Sequence, residues 1–252
     1  MKRLLIGIFI VGLAVVGFGC GGDGGGGGPA PIVSNESASG IWNGSFHSNV
    51  TNSTDIVSGV CTENNEVRLF SASWGGQYAG TGSVSGSSIS GTLTAYAPWG
   101  YHFPDGSKIG TVTLNGTVKT RVSISGTYSG TGDNGTFLVA YDSVYQRPSS
   151  LSLVNGNWLH SSSQLGTVHM TIDANGNITG FTSGGCVYSG AVSIINPSYN
   201  AYRININISS CGALNGNNNG LAILDDTTMQ NDTLIAGVSN PSEAFTARFI
   251  RQ

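Results

Sequence analysis

The residues best equipped for chemistry lie in one short segment. Tyr96-Ala97-Pro98-Trp99-Gly100-Tyr101-His102-Phe103-Pro104-Asp105 gathers four aromatic side chains and a histidine. Aromatic rings offer flat apolar area with polar tips, chemistry suited to sugars, peptides and other ring-shaped ligands. Trp99, Tyr101, His102 and Phe103 are therefore the candidate binding residues. The same residues admit a plainer role, as a plug for the open end of a β-barrel or as packing between domains. The two roles part on whether solvent reaches Trp99 and Tyr101 together.

Elsewhere the chain offers little for catalysis. The histidines, His47, His102, His160 and His169, have no zinc-helix spacing, and there is no Cys-x-x-Cys. Asp173-Ala174-Asn175-Gly176-Asn177 looks superficially like a calcium loop but lacks the downstream glutamate and flanking helices, so it reads as a hairpin turn. Gly82-Ser83-Val84-Ser85-Gly86 has no helix to form a nucleophile elbow. Asp225-Asp226 would point to opposite sides of an extended strand. No catalytic residue, metal site or cofactor is assigned.

The elements that must position the aromatic segment are strands. Tyr202, Ile204, Ile206 and Ile208 alternate with Arg203, Asn205, Asn207 and Ser209, giving one dry and one wet face. Tyr188, Val192 and Ile194 share a face with Cys186 and Gly190 ahead of Asn196-Pro197-Ser198, which predicts a hairpin with Val192 opposite Ile204. Asn-Gly pairs mark further turns. Asn115-Gly116 is expected between Thr111–Leu114 and Thr117–Ile124, Asn134-Gly135 between Val122–Tyr128 and Thr136–Tyr141, and Asn175-Gly176 between Val168–Ile172 and Asn177–Phe181. No helical periodicity appears beyond the leader.

Landmarks recur. Gly40-Ile41-Trp42 and Gly156-Asn157-Trp158 open two halves, and Phe137–Tyr141 and Phe245–Phe249 close them, at offsets of 116 and 108 residues. The join falls near Gln146-Arg147-Pro148-Ser149-Ser150. The fold class is all-β: two tandem small antiparallel β-barrels, or sandwiches, of about eight strands each. The aromatic segment is an insertion that the second half lacks.

Charge excludes some partners. There are 13 acidic and 10 basic residues, two of the latter in the leader, which leaves the mature chain near −5. Nucleic acid is not a partner, because phosphate neutralisation needs clustered Lys and Arg. Of the cysteines, Cys186 and Cys211 are expected to form a disulfide, with Cys211 out of step and a bulge or strand end near Ser209-Ser210. Cys61 is then a free thiol, read as a small buried apolar residue. Nine Asn-x-Ser/Thr sequons reflect the Asn/Ser/Thr-rich composition.

The chain opens with basic Lys2-Arg3 and an apolar run, Leu4 to Phe18, of 15 residues, long enough for a signal h-region and short of a membrane span. Gly17-Phe18-Gly19-Cys20 resembles the lipobox of bacterial lipoproteins, with Gly17 where that family prefers leucine; a plain small-x-small cleavage site is the other reading. The resemblance implies lipidation of Cys20 and, because Gly21 rather than aspartate follows, the outer membrane. The assignments are a signal peptide at 1–19, a lipidated cysteine and Gly-rich tether at 20–37, β-domain 1 at 38–146 and β-domain 2 at 150–252. Gly-x-Trp on a first strand is similar to lipocalin-type barrels, which implies an arginine near the last strand over the tryptophan. Arg248 or Arg251 can serve Trp158, whereas Ala140 and Ser143 stand at the matching places of the first half. The layout as a whole resembles surface or periplasmic bacterial lipoproteins.

The expected function is a non-enzymatic envelope lipoprotein that acts as a binding or interaction module. It would be held to the membrane by its N-terminal lipid, and its partner would be an envelope protein, a glycan or a small apolar ligand. The alternatives are a structural or adhesive surface protein without a pocket, and an unrecognised hydrolase.

Overall fold

A computed structural model of the chain describes residues 35–162 and 165–252. The expected signal peptide, Cys20 and the tether as far as residue 34 lie outside the described residues. The first eight strands are β1 (Gly40–Ser48), β2 (Thr54–Cys61), β3 (Glu66–Ser71), β4 (Gln77–Ser85), β5 (Ser88–Tyr96), β6 (Ile109–Lys119), β7 (Ser123–Gly130) and β8 (Asp133–Asp142). The second eight are β9 (Gly156–Ser162), β10 (Gly166–Ile172), β11 (Asn177–Thr182), β12 (Val187–Ile194), β13 (Tyr202–Ser209), β14 (Gly216–Asp225), β15 (Thr233–Ser239) and β16 (Ala244–Arg251). Each set runs up and down and closes on itself, β8 onto β1 and β16 onto β9, so the chain is two tandem antiparallel barrels. Closure leaves no sheet edge open to stray pairing. Among the described residues no helix is long and apolar enough to cross a membrane.

Period-two patterning builds both interiors. On β8, Phe137 and Val139 are buried while Thr136, Leu138 and Ala140 face out; on β13, Tyr202, Ile204 and Ile208 are buried while Asn205 and Asn207 face out. The side chains fill the middle of each barrel. The spaces left in the middle of the barrels are about 60 Å³ in the first and about 40 Å³ in the second. Inward glycines let the strands curve this tightly. A Cβ on Gly126 would lie 2.1 Å from Asn115 O, and one on Gly190 2.1 Å from Asn205 O.

Those glycines overturn two expected turns. Asn115-Gly116 lies inside β6, with Gly116 paired to Gly126. Asn134-Gly135 lies inside β8; the real turn is Thr131-Gly132, at φ of +55° and +76°. Asn175-Gly176 does turn between β10 and β11, with Gly176 at φ +85°. The carboxylate of Asp173 accepts from Asn175 N, Asn177 N and Asn177 Nδ2, at 2.7–2.8 Å, the bonding of a hairpin turn.

The β12–β13 register is as expected: Val192 faces Ile204 and Val187 faces Ser209. The strand ends at Ser209, Ser210 takes φ +57°, and this returns Cys211 to reach Cys186 in a disulfide. Cys61 is free and buried, and burial, with Glu63 adding, pushes its thiol pKa up to about 12. Three residues assigned to the tether are instead pinned to the first barrel: Asn35 Oδ1 accepts from Gly86 N, Glu36 Oε2 from Thr120 N, and Ser37 N donates to Thr120 Oγ1.

The two halves share a tryptophan clamp. Trp42 Nε1 donates to Ala38 O and Trp158 Nε1 to Val154 O, each 2.8 Å away and four residues upstream. Arg251 covers Trp158 at 4.2 Å and also donates to Asn155 O and Leu153 O. Arg251 stands opposite Trp158 as Tyr141 stands opposite Trp42. The closing landmarks therefore align two residues away from the Phe137/Phe245 match, and the counterpart of Arg251 is Tyr141 rather than Ser143. Tyr141 meets Trp42 edge-on at 5.5 Å.

The barrels pack side by side. Ile41, Val60, Tyr145, Ala201, Leu221 and Ile223 form a shared core outside both barrels. Arg68, 6% exposed, donates across the seam to Ser239 Oγ at 2.8 Å and Asn219 O at 3.0 Å. Gln77 Nε2 donates to Val238 O, and the backbone of β15 comes so close that a Cβ on Gly237 would meet Phe70 at 2.2 Å. Tyr145 stacks on Tyr199 at 4.9 Å, and Arg147 pairs both nitrogens with Asp226.

Candidate functional site

The aromatic segment connects β5 to β6 over residues 97–108, where the second barrel has only the connection 210–215 between β13 and β14. Its backbone is tied down. Tyr101 N donates to Pro98 O across a turn whose third residue, Gly100, has φ +85°, the conformation a type II turn requires. Phe103 N donates to Ser107 O, Gly106 N to Phe103 O, and Asp105 Oδ1 accepts from Ser107 N and Oγ.

The four predicted residues split into two pairs. Phe103, 6% exposed, packs edge-on against Trp74 at 5.4 Å and joins the core of the first barrel, so it is the plug. His102 stands exposed at the rim of that same barrel end. Trp99 and Tyr101 are each 59% exposed and line a different space, a groove of about 620 Å³ between the barrels.

That groove lies where connections from the two barrels converge. The first barrel contributes Trp74, Pro98, Trp99 and Tyr101; the second contributes His160, Phe245 and Arg248. Leu165, Leu214 and Phe245 line both the groove and the apolar interior of the second barrel, so they form its lid on this side. His160 sits against Phe245 at 5.9 Å and Phe249 at 5.7 Å. Its Nδ1 lies 3.1 Å from Arg248 O. A carbonyl can only accept, so Nδ1 carries the proton and Nε2 is left as an acceptor. Burial holds the His160 pKa below the ordinary histidine value. Arg248 pairs with Asp225 at 3.2 Å. The hydroxyl of Thr246, also in the groove lining, is buried and has no hydrogen-bond partner among the described residues.

No family model, curated protein or solved structure matches this chain. Function has to be read from geometry and charge. The arrangement presents two solvent-facing rings, an apolar floor and a few polar groups, the makings of a binding surface for a flat or ring-bearing ligand. His160 hydrogen-bonds to a backbone carbonyl and His47 to Thr54 Oγ1, so neither is oriented by a carboxylate as a general base would be. Among the described residues no group of three or more His, Cys, Asp or Glu could hold a metal ion.

Sequence reasoning missed Trp74, His160 and Phe245. Trp74 carries a usable signal, a lone tryptophan beside Gly75-Gly76 in a loop. His160 and Phe245 carry none, because strand pairing alone brings β9 and β16 together.

Proposed function

We propose that this protein is a non-enzymatic envelope lipoprotein, anchored through Cys20 to the outer membrane, that works as a binding module through the groove between its barrels. The observation that carries this reading is the exposure of Trp99 and Tyr101 on a tied-down loop, in a chain whose Trp42 and Trp158 are fully buried. An exposed apolar ring costs solvation and leaves the core short of contacts, so two side by side above a groove mark a surface meant for contact. A glycan or a peptide segment of an envelope partner suits it, since rings stack on either and the tips of Trp99 and Tyr101 can still hydrogen-bond.

The test is affinity capture from envelope extracts with the full chain, beside a Trp99→Ala/Tyr101→Ala variant. Loss of captured glycan or protein with the variant supports the groove; equal capture by both removes it.

A structural or adhesive role is the second reading. It is favoured by the filled interiors and by the outer face of β4–β5–β6, where Thr81, Ser83, Ser90, Thr92, Thr113 and Asn115 line a shallow polar depression. Capture that survives Trp99→Ala/Tyr101→Ala and fails when Ser83, Ser90 and Thr92 are replaced by lysine would favour that face.

A further inference from the structure

The open end of the first barrel holds a second cavity, separate from the groove and behind the aromatic loop. It measures about 400 Å³, within the size range of small-ligand pockets. Five Phe, Trp and Tyr rings line it, Phe46, Trp74, Tyr78, Phe103 and Tyr128, with the imidazole of His102 at the rim. They brace one another, Phe46 stacking on Tyr128 at 5.2 Å and approaching Tyr78 at 6.1 Å, so their faces are held in place.

Two carboxylates look into the same space from different strands. Asp55 Oδ1 accepts from Ser71 Oγ at 2.7 Å and Oδ2 from Trp74 Nε1 at 3.0 Å. Asp133 Oδ1 accepts from Ser48 Oγ and Asn134 N, each at 2.7 Å, and Oδ2 from Tyr128 OH at 2.8 Å. These bonds fix the carboxylates but come from neutral donors, and among the described residues no Lys or Arg lines the cavity. Both oxygens of Asp55 and Oδ2 of Asp133 keep a lone pair beyond the bond each accepts.

A third observation is independent of the charges. Tyr78 is 9% exposed, lines the cavity, and has no hydrogen-bond partner for its hydroxyl among the described residues. A hydroxyl that no described protein group engages and that faces an open cavity is free to bond to a group that enters it.

We infer that this cavity binds a small organic cation, one with a substituted or quaternary ammonium group on a compact apolar frame. The ring faces carry negative potential and attract a cation within about 6 Å, and two uncompensated carboxylates add to that field. The aromatic walls accept the methyl or methylene groups that such a cation carries and a hard metal ion lacks. The hydroxyl of Tyr78 can meet an oxygen at the far end of the ligand.

The test titrates the full chain in a non-ionic detergent with choline and with its neutral isostere 3,3-dimethylbutan-1-ol, by calorimetry. Choline is expected to bind at least about tenfold more tightly than the isostere, since only the charge differs. Asp55→Asn/Asp133→Asn keeps the shape and should weaken choline about tenfold or more, whereas Trp99→Ala/Tyr101→Ala should leave it unchanged. That last variant separates failure here from failure of the groove reading. Because Asp55 and Asp133 also hold neighbouring side chains, the unaltered chain provides a second measurement. Raising salt from ~0.05 to ~0.5 M should weaken choline severalfold and leave the isostere unmoved. Equal binding of choline and isostere, or no choline binding up to ~50 mM in a pocket of this kind, overturns the inference.

Discussion

Breaking the Cys186–Cys211 disulfide gives a prediction whose size follows from the structure. The bridge ties residues 25 positions apart, spanning the β12–β13 hairpin. In the native state these strands are already paired, so the bond restricts mainly the unfolded chain. For a closed loop of this length the chain-entropy relation gives about 3.5 kcal/mol. In a folding unit of this size that is a drop in Tm of roughly 7–14 °C. Both sulfurs also border the small apolar cavity of the second barrel, so Cys186→Ala/Cys211→Ala should lose about 1 kcal/mol more than the reduced wild type, from two vacated sulfur positions. Equilibrium unfolding in urea of oxidised wild type, reduced wild type and the double variant measures all three. Stopped-flow kinetics supplies the sharper test. A constraint on the unfolded ensemble slows refolding when removed and leaves the unfolding rate nearly unchanged. A loss under ~1 kcal/mol, or a loss confined to faster unfolding, would refute the entropic reasoning and place the effect in native contacts.

Four further outcomes are expected. Arg251→Ala removes the cover of Trp158 and two hydrogen bonds to the segment before β9, and should cost about 2–4 kcal/mol by denaturant melt, with Arg251→Lys recovering only part. Gly237→Val has no room against Phe70 and Gln77 at the barrel seam and should cost ~3 kcal/mol or more, seen as a split of one calorimetric transition into two. Asp232 accepts from Thr227 N, Thr228 N and Met229 N, which hold its carboxyl well below the usual range. Its stabilisation is therefore present above the unfolded value of ~3.9 and is lost as pH falls towards the depressed folded value, so Asp232→Asn should flatten the acid limb of a Tm–pH profile. Cys61, with its thiol pKa pushed up to about 12, should resist iodoacetamide at pH 8 in the folded chain at least ~100-fold better than an exposed thiol, as read by peptide mass spectrometry.

Much of the fold was legible because a strand writes its two environments at alternate positions. Tyr202 to Ser209 showed its dry and wet faces, and matching those faces across Asn196-Pro197-Ser198 was enough to set Val192 against Ile204. The half-turn needed at Ser210 followed from Cys211 being one residue out of phase. The aromatic segment announced itself by composition. Two of the three inferences that rested on an Asn-Gly dipeptide alone failed. Asn115-Gly116 and Asn134-Gly135 have turn chemistry, yet each glycine is where the chain curves inside a strand and meets a neighbouring backbone.

The sequence by itself determined most of the strands, their faces and the pairing of Cys186 with Cys211, because these depend on local periodicity and short separations. Only the tertiary structure decided that the middle of each barrel is filled, that the barrels meet along the seam of Arg68 and Gly237, and that the loop sends Phe103 inward while Trp99 and Tyr101 face the groove. It also decided that Asp55, Tyr78 and Asp133 share one cavity. The reason is that barrel closure joins strands distant in the chain, and which side chains converge at a barrel's mouth is set by strand order and register around the whole ring, a property no local pattern carries.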